Sequence, residues 1–115
     1  MSLQVATRDL GEVALLELTG RLDGGPGAAQ LPNILRTLLA NGCKTIVLDL
    51  AEVPWANSLG IGGLISSYAL AKDEGAKLVL CSVPERVLQV LQICGVVPGV
   101  FDVHADAEAA LARLG

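Results

Sequence analysis

Hydrophobic positions in this chain change their spacing several times, and each change marks an element. Two short apolar runs, Leu3 to Thr7 and Val13 to Leu18, are separated by Asp9-Leu10-Gly11, which predicts a β-hairpin. The second run is almost continuous, the pattern of a strand covered on both faces rather than one facing water. After the glycine-rich stretch Thr19 to Gly27, Leu31, Ile34, Leu35, Leu38 and Leu39 fall on one helical stripe. Pro32 suits the first turn of that helix, where amide groups lack partners, so the helix is expected to begin near Ala28. It should end at Asn41-Gly42, where glycine takes the left-handed cap without steric cost.

Thr45 to Leu50 is a β-branched run that predicts a central strand. A second helical stripe, Ile61, Leu64, Ile65, Tyr68 and Ala69, closes at Gly75, and Lys77 to Cys81 reads as another buried strand. Pro84 is placed to open a third helix running to Cys94, with Gly95 as its stop. Val100 to Val103 predicts a short last strand, and Asp106 caps a final helix, Ala107 to Leu114, with Glu108 near its positive end. Strands alternating with helices after an opening hairpin predict one α/β domain over residues 1–115. Its sheet should be mixed but mainly parallel, of four to five strands, with about four helices packed on it.

Composition narrows what such a domain can do. At 115 residues and 52% hydrophobic, folding buries roughly 65% of the chain's surface, so the core needs no disulfide or metal staple. Only 3% of residues are aromatic and the net charge is −4 with no block of either sign, which argues against nucleic-acid binding. Cys43, Cys81 and Cys94 form no close pair and have no His or carboxylate at ligand spacing; they read as small buried hydrophobes, with no metal and no disulfide. Reduced thiols and the lack of a secretory leader pattern lead to the expectation of a cytoplasmic protein. The uncharged stretch Val53 to Ala71 is long enough to cross a bilayer but is broken by Pro54, Asn57, Ser58, Ser66, Ser67 and three glycines, so a buried helix is expected instead of membrane insertion.

Catalytic constellations are absent from the sequence. The single histidine, His104, has no nucleophile paired with it by any spacing rule and reads as a strand-end residue. No Walker loop occurs, and Gly60, Gly62 and Gly63 depart from a dinucleotide fingerprint in spacing. What remains is the segment from Pro54 to Gly63, between the central strand and the second helix. Ser58 is suited to cap that helix. Each glycine there costs a helix about 1 kcal/mol relative to alanine, so something needs the missing side chains. Two readings stand side by side: close packing of the helix on the sheet, or a flat helix end that a partner can approach. Trp55, just upstream, reads either as a large core or edge side chain or as part of a contact surface.

Four stretches together resemble the STAS domain family, and the likeness covers nearly the whole chain. They are Leu18-Thr19-Gly20-Arg21-Leu22-Asp23, Ile46-Val47-Leu48-Asp49-Leu50, Asn57-Ser58-Leu59-Gly60-Ile61-Gly62, and Phe101-Asp102-Val103 before an Ala- and Glu-rich helix. The resemblance is to members of the bacterial anti-sigma factor antagonist type. It implies that Ser58 is phosphorylated by an anti-sigma factor that is also a serine kinase, and that a separate phosphatase resets it. The partner surface would comprise Arg21, Asp23, Asn57, Leu59, Gly60, Ile61 and Gly62, with Asp23 in a loop facing Ser58. The domain itself would be no enzyme and would hold no cofactor. The chain departs from the family pattern at Asn57, where Asp is usual, and at Leu59, where a small residue is usual; asparagine keeps the acceptor but loses a charge that a kinase could read. A STAS module of another system, such as a lipid-transport complex or a signalling scaffold, is the alternative within the fold. A small phosphate- or nucleotide-binding protein using the glycine-rich helix start is the alternative outside it. The oligomeric state is left open.

Overall fold

The computed structural model describes residues 3–114, with side chains for all of these except residues 26–28 and 114. Strand β1 (Gln4–Asp9) pairs antiparallel with β2 (Val13–Thr19), as the hairpin pattern predicts, and Asp9 Oδ1 accepts the Gly11 N–H in the turn. Parallel strands β3 (Thr45–Glu52), β4 (Lys77–Cys81) and β5 (Val103–His104) follow, giving the sheet order β1-β2-β3-β4-β5 with β3 in the centre. Helices α1 (Pro26–Ala40), α2 (Ser58–Asp73) and α3 (Glu85–Ile93) connect the parallel strands, and α4 (Ala107–Leu114) ends the chain.

Every crossover steps in the same direction across the sheet, so connections of one hand leave their helices on one face. That face carries the main core: Leu16, Leu18, Leu48, Leu50 and Leu80 of the sheet against Leu31, Leu35, Ile61, Leu64, Val87 and Leu91 of α1, α2 and α3. The opposite face is covered more thinly, by Ala110 and Leu111 of α4 over Leu15, Val47, Val79 and Cys81.

Several sequence expectations need correction. Helix α1 begins at Pro26, not near Ala28, because Pro26 occupies the first turn, so Pro32 lies in the helix interior; buried Leu31 and Leu35 on either side hold the turn in place despite its missing N–H. The last strand is Val103–His104 rather than Val100 to Val103. The Val100 and Phe101 amides fold back onto the Val96 carbonyl at 3.2 and 3.1 Å, and Phe101 is buried edge-to-face against Tyr68 at 5.6 Å. Pro84 is the residue before α3 and not its first, with its carbonyl accepting the Leu88 N–H at 2.8 Å, and Cys94 lies just beyond the helix. On α2, Ile65 and Ala69 are exposed, whereas Ser67 is buried with its hydroxyl donating to the Gly63 carbonyl at 2.9 Å. Cys43 and Cys81 are buried as expected, and burial pushes the Cys81 thiol up to about 11; Cys94 is exposed. No helix among the described residues is long and apolar enough to cross a membrane.

Candidate functional site

Strands β2 and β3 are parallel, so the loops leaving their C-terminal ends meet at one edge of the molecule, and α1 and α2 both begin there. The pairing of the two strands shifts register between Glu17 and Thr19, with one extra residue on β3. Asp49 stabilises that bulge by accepting the Ala51 N–H at 3.0 Å. Beyond it the two loops continue to pair. Gly20 donates to the Glu52 carbonyl, Leu22 donates to the Trp55 carbonyl at 3.0 Å, and Asn57 donates to the Leu22 carbonyl at 3.1 Å, forming a parallel bridge between Leu22 and Ala56. Leu22 and Ala56 are themselves buried, so the loops are anchored by apolar packing as well as by hydrogen bonds.

This bridge places the Arg21–Asp23 turn beside the start of α2. Asp23 Oδ1 accepts the Gly25 N–H at 3.1 Å, closing the turn, and Gly24 adopts φ +80° with its backbone packed against Leu59. The Arg21 guanidinium lies 4.5 Å from the centre of the Trp55 ring, a cation–π contact that ties one loop across the other. Trp55 is half-buried, which makes it an edge side chain with one side covered by Arg21.

The cap of α2 differs from expectation. Asn57, in extended backbone, is the N-cap, and its Oδ1 accepts the Gly60 N–H at 2.9 Å; Ser58 is the first helical residue and is exposed. Both residue types can cap a helix. The extended backbone that Asn57 adopts in donating to Leu22 puts its side chain in the capping position and releases the serine hydroxyl from that job. Leu59 beside it is 71% exposed, a large apolar side chain presented to solvent next to Ser58.

The three glycines divide between the two readings. A Cβ on Gly60 would overlap the Leu22 backbone carbonyl, so this glycine is required for the loop to lie against the helix start. At Gly62 and Gly63 a Cβ would meet nothing within 4 Å. Those two leave a low, open helix surface beside Leu59. The packing at Gly60 is against the Leu22 loop, not the sheet, and the Gly60 N–H that a backbone cradle for phosphate would use is taken by Asn57 Oδ1. Among the described residues there is no group of three His, Cys, Asp or Glu placed to hold a metal.

The structure thus brings together Arg21, Asp23, Asn57, Ser58, Leu59 and Gly62 at one edge, while Gly60 and Ile61, expected to be part of the partner surface, are buried beneath it and support it without forming it. Leu22, Gly24 and Asp49 build the site although the sequence gives none of them a role there: Leu22 and Asp49 appear only within the family-like stretches and Gly24 only within the glycine-rich loop. Leu22 had one visible signal, being the lone apolar residue in a polar, glycine-rich loop.

Comparison with known proteins bears on the family and the fold. The family model described as "Mlab, STAS domain" matches residues 5–97. An anti-sigma F factor antagonist from Paenibacillus polymyxa is 25% identical over 95 residues, covering 83% of this chain and 81% of that protein. Among solved structures, RsbS from Moorella thermoacetica superposes with a TM-score of 0.82 at 18% identity, covering 96% of this chain and 93% of that one. The Bacillus cell-fate determinant SpoIIAA, in its phosphorylated form, superposes with a TM-score of 0.74 at 19% identity, covering 96% and 99%.

Proposed function

Because the chain belongs to the STAS domain family, we propose that it is a regulator of the anti-sigma factor antagonist type, whose Ser58 edge binds an anti-sigma factor with serine kinase activity and is switched off by phosphorylation of Ser58. The observation that carries this reading is the exposed Ser58 at the first position of α2, with its hydroxyl free of capping duty and the exposed Leu59 beside it. The antagonist relative supports the partner class, and SpoIIAA, described in a phosphorylated form, supports the modification. A phosphatase would reset the switch.

The local physics favours a switch that leaves the fold alone. A phosphoserine adds about −1.5 to −2 charges and three acceptor oxygens. At a helix N-terminus that charge is stabilised by about 0.3–1 kcal/mol, so the domain tolerates it. A partner packed closely on Leu59 and the open Gly62 surface would have to desolvate the same charge, at a cost of several kcal/mol if it is left unpaired. Binding is thereby lost without rearrangement of the domain, which acts as a regulator and not as a catalyst.

The test is intact-mass analysis after incubation with ATP and the cognate kinase. One phosphate should map to Ser58 and be absent from Ser58→Ala. The phosphorylated domain should keep its melting temperature and bind the partner at least about tenfold more weakly, equivalent to 1.4 kcal/mol. Equal affinity of both forms would overturn the switch. A second reading, a STAS module of another assembly such as a lipid-transport complex, is favoured by the Mlab description of the matching family model and by the neutral Asn57 and bulky Leu59. It predicts that the native complex purifies with a transporter component and with Ser58 unmodified.

A further inference from the structure

The two edges of the sheet are built differently. At one end β5 has two residues, too short to template another strand. At the other end β1 has six, paired to β2 without a shift of register and free of proline and lysine, residues that commonly protect an edge. Gln4, Ala6, Thr7, Arg8 and Asp9 are exposed and Val5 is half-buried. Helix α1 meets the start of this strand, where Gln30 donates to the Leu3 carbonyl at 3.3 Å, and Thr7 and Asp9 lie exposed beyond it. The hairpin turn sets which backbone groups point outward. The Leu10 N–H donates to the Val13 carbonyl at 2.8 Å, so these two form a hydrogen-bonded pair, and bonded and non-bonded pairs alternate along an antiparallel ladder. Counted back from the turn, Asp9, Thr7 and Val5 are the non-bonded partners of Ala14, Leu16 and Leu18, and their N–H and C=O groups face away from β2. Among the described residues none of these groups bonds to a turn or a loop.

This edge is complementary to itself. The register that uses every outward residue is a two-fold antiparallel pairing centred on Thr7, in which each Thr7 exchanges backbone bonds with the other and Val5 exchanges them with Asp9 of the second copy. On the opposite face of the strand, Arg8 then lies across from Ala6 of the second copy. Ala6 is in turn the β2 neighbour of Glu17, so Arg8 and the second copy's Ala6 and Glu17 fall in one row across the joined sheet. Arg8 already approaches its own Glu17, Nε to Oε1 at 3.2 Å, and the two side chains stay 65% and 40% exposed. Two strand spacings, about 10 Å, separate Arg8 from the second Glu17, and the residue between them is the small Ala6. Long side chains can close that span over alanine and join the two ion pairs into one network. Moving the axis to Arg8 would instead set two arginines against each other.

We propose that the outer edge of β1 is a self-association surface, on which two copies of the chain pair antiparallel along residues 5–9, continue one sheet through both domains and link their Arg8–Glu17 ion pairs. The pairing is closed, because the edges left at the two ends of the joined sheet are the short β5 strands. It points the two β2 strands in opposite directions, so the Ser58 edges lie at opposite ends of the pair.

Sedimentation velocity of the full chain over a concentration series should show a monomer–dimer equilibrium. Amide hydrogen exchange followed by NMR should slow with concentration at Val5, Thr7 and Asp9 and stay unchanged at Ser58 and Leu59. Arg8→Glu and Glu17→Arg should each weaken dimerisation at least about tenfold, since like charges then meet across the axis. An equimolar mixture of these two variants should restore it, because each reversed charge finds its opposite on the other chain. Thr7→Pro removes the outward N–H at the axis without touching the β2 ladder and should abolish the dimer. Melting temperatures establish that the variants are folded, and the charge variants, at positions with exposed side chains, carry the test independently of the proline. Sedimentation as a monomer at every concentration, a dimer without slowed exchange at Thr7, or a mixture that associates no better than the separate variants would each overturn the proposal.

Discussion

Gly60 and the pair Gly62 and Gly63 lie within one turn of the same helix, yet one is closed in by the molecule and the others open onto solvent space. At Gly60 the neighbour is the Leu22 backbone, held in place by the bridge to Ala56; at Gly62 and Gly63 a side chain would meet nothing within 4 Å. The difference teaches that a glycine-rich helix start is not one device. Its first glycine locks two loops to the helix, and its later ones set the profile of the surface that results. Leu59, between Ser58 and Gly60, belongs to both regions: its Cβ and backbone lie beside Gly24, and most of its side chain is exposed.

Substitutions can break this comparison or sharpen it. The largest effect is expected from Gly60→Ala, since the overlapping atoms are backbone and cannot rotate away. Overpacking of this kind costs about 3 kcal/mol, and thermal unfolding should show the melting temperature falling by more than about 10 °C. A shift of a degree or two would mean that the loop yields and the contrast is empty. Asn57→Ala removes the cap accepted from Gly60 while leaving the loop backbone intact, and chemical denaturation should register a loss of about 1 kcal/mol. Smallest in stability and opposite in sign are Gly62→Ala and Gly63→Ala, each expected to stabilise the fold by about 0.5–1 kcal/mol through helix propensity. The same two variants should weaken the anti-sigma partner, measured by calorimetry. Stabilisation with undiminished affinity would remove this surface from the interface.

Much of the architecture was legible because it rests on local pattern. Strands β3 and β4 are short runs of aliphatic residues, and the turns after α1 and α2 carry glycines at positive φ. What escaped depends on partners distant in sequence. Asn57 and Ser58 are equally able to cap, and only the hydrogen bond from Asn57 to Leu22, thirty-five positions earlier, decides between them. The stacking of Arg21 on Trp55 has no local signature either. The cost of an interior proline favours the first turn for Pro32, and the packing of its buried neighbours overrides that preference. The strand expected from Val100 to Val103 fails at its first two residues, whose amides turn back to the Val96 carbonyl while the Phe101 ring is buried against Tyr68.

The bridge between Leu22 and Ala56 bears on how a modifying enzyme would meet Ser58. Many hydroxyl substrates are presented as pliable chain that threads into an active-site groove. Ser58 cannot be drawn out in that way cheaply, because unwinding the first turn of α2 would sacrifice the Asn57 cap and part the Leu22 carbonyl from the Asn57 amide. A kinase acting on it would have to recognise a shaped, folded surface assembled from two separate stretches of chain. A linear peptide spanning residues 53–63 would then be a poor substitute for the domain, and specificity would reside in tertiary structure and not in a sequence motif.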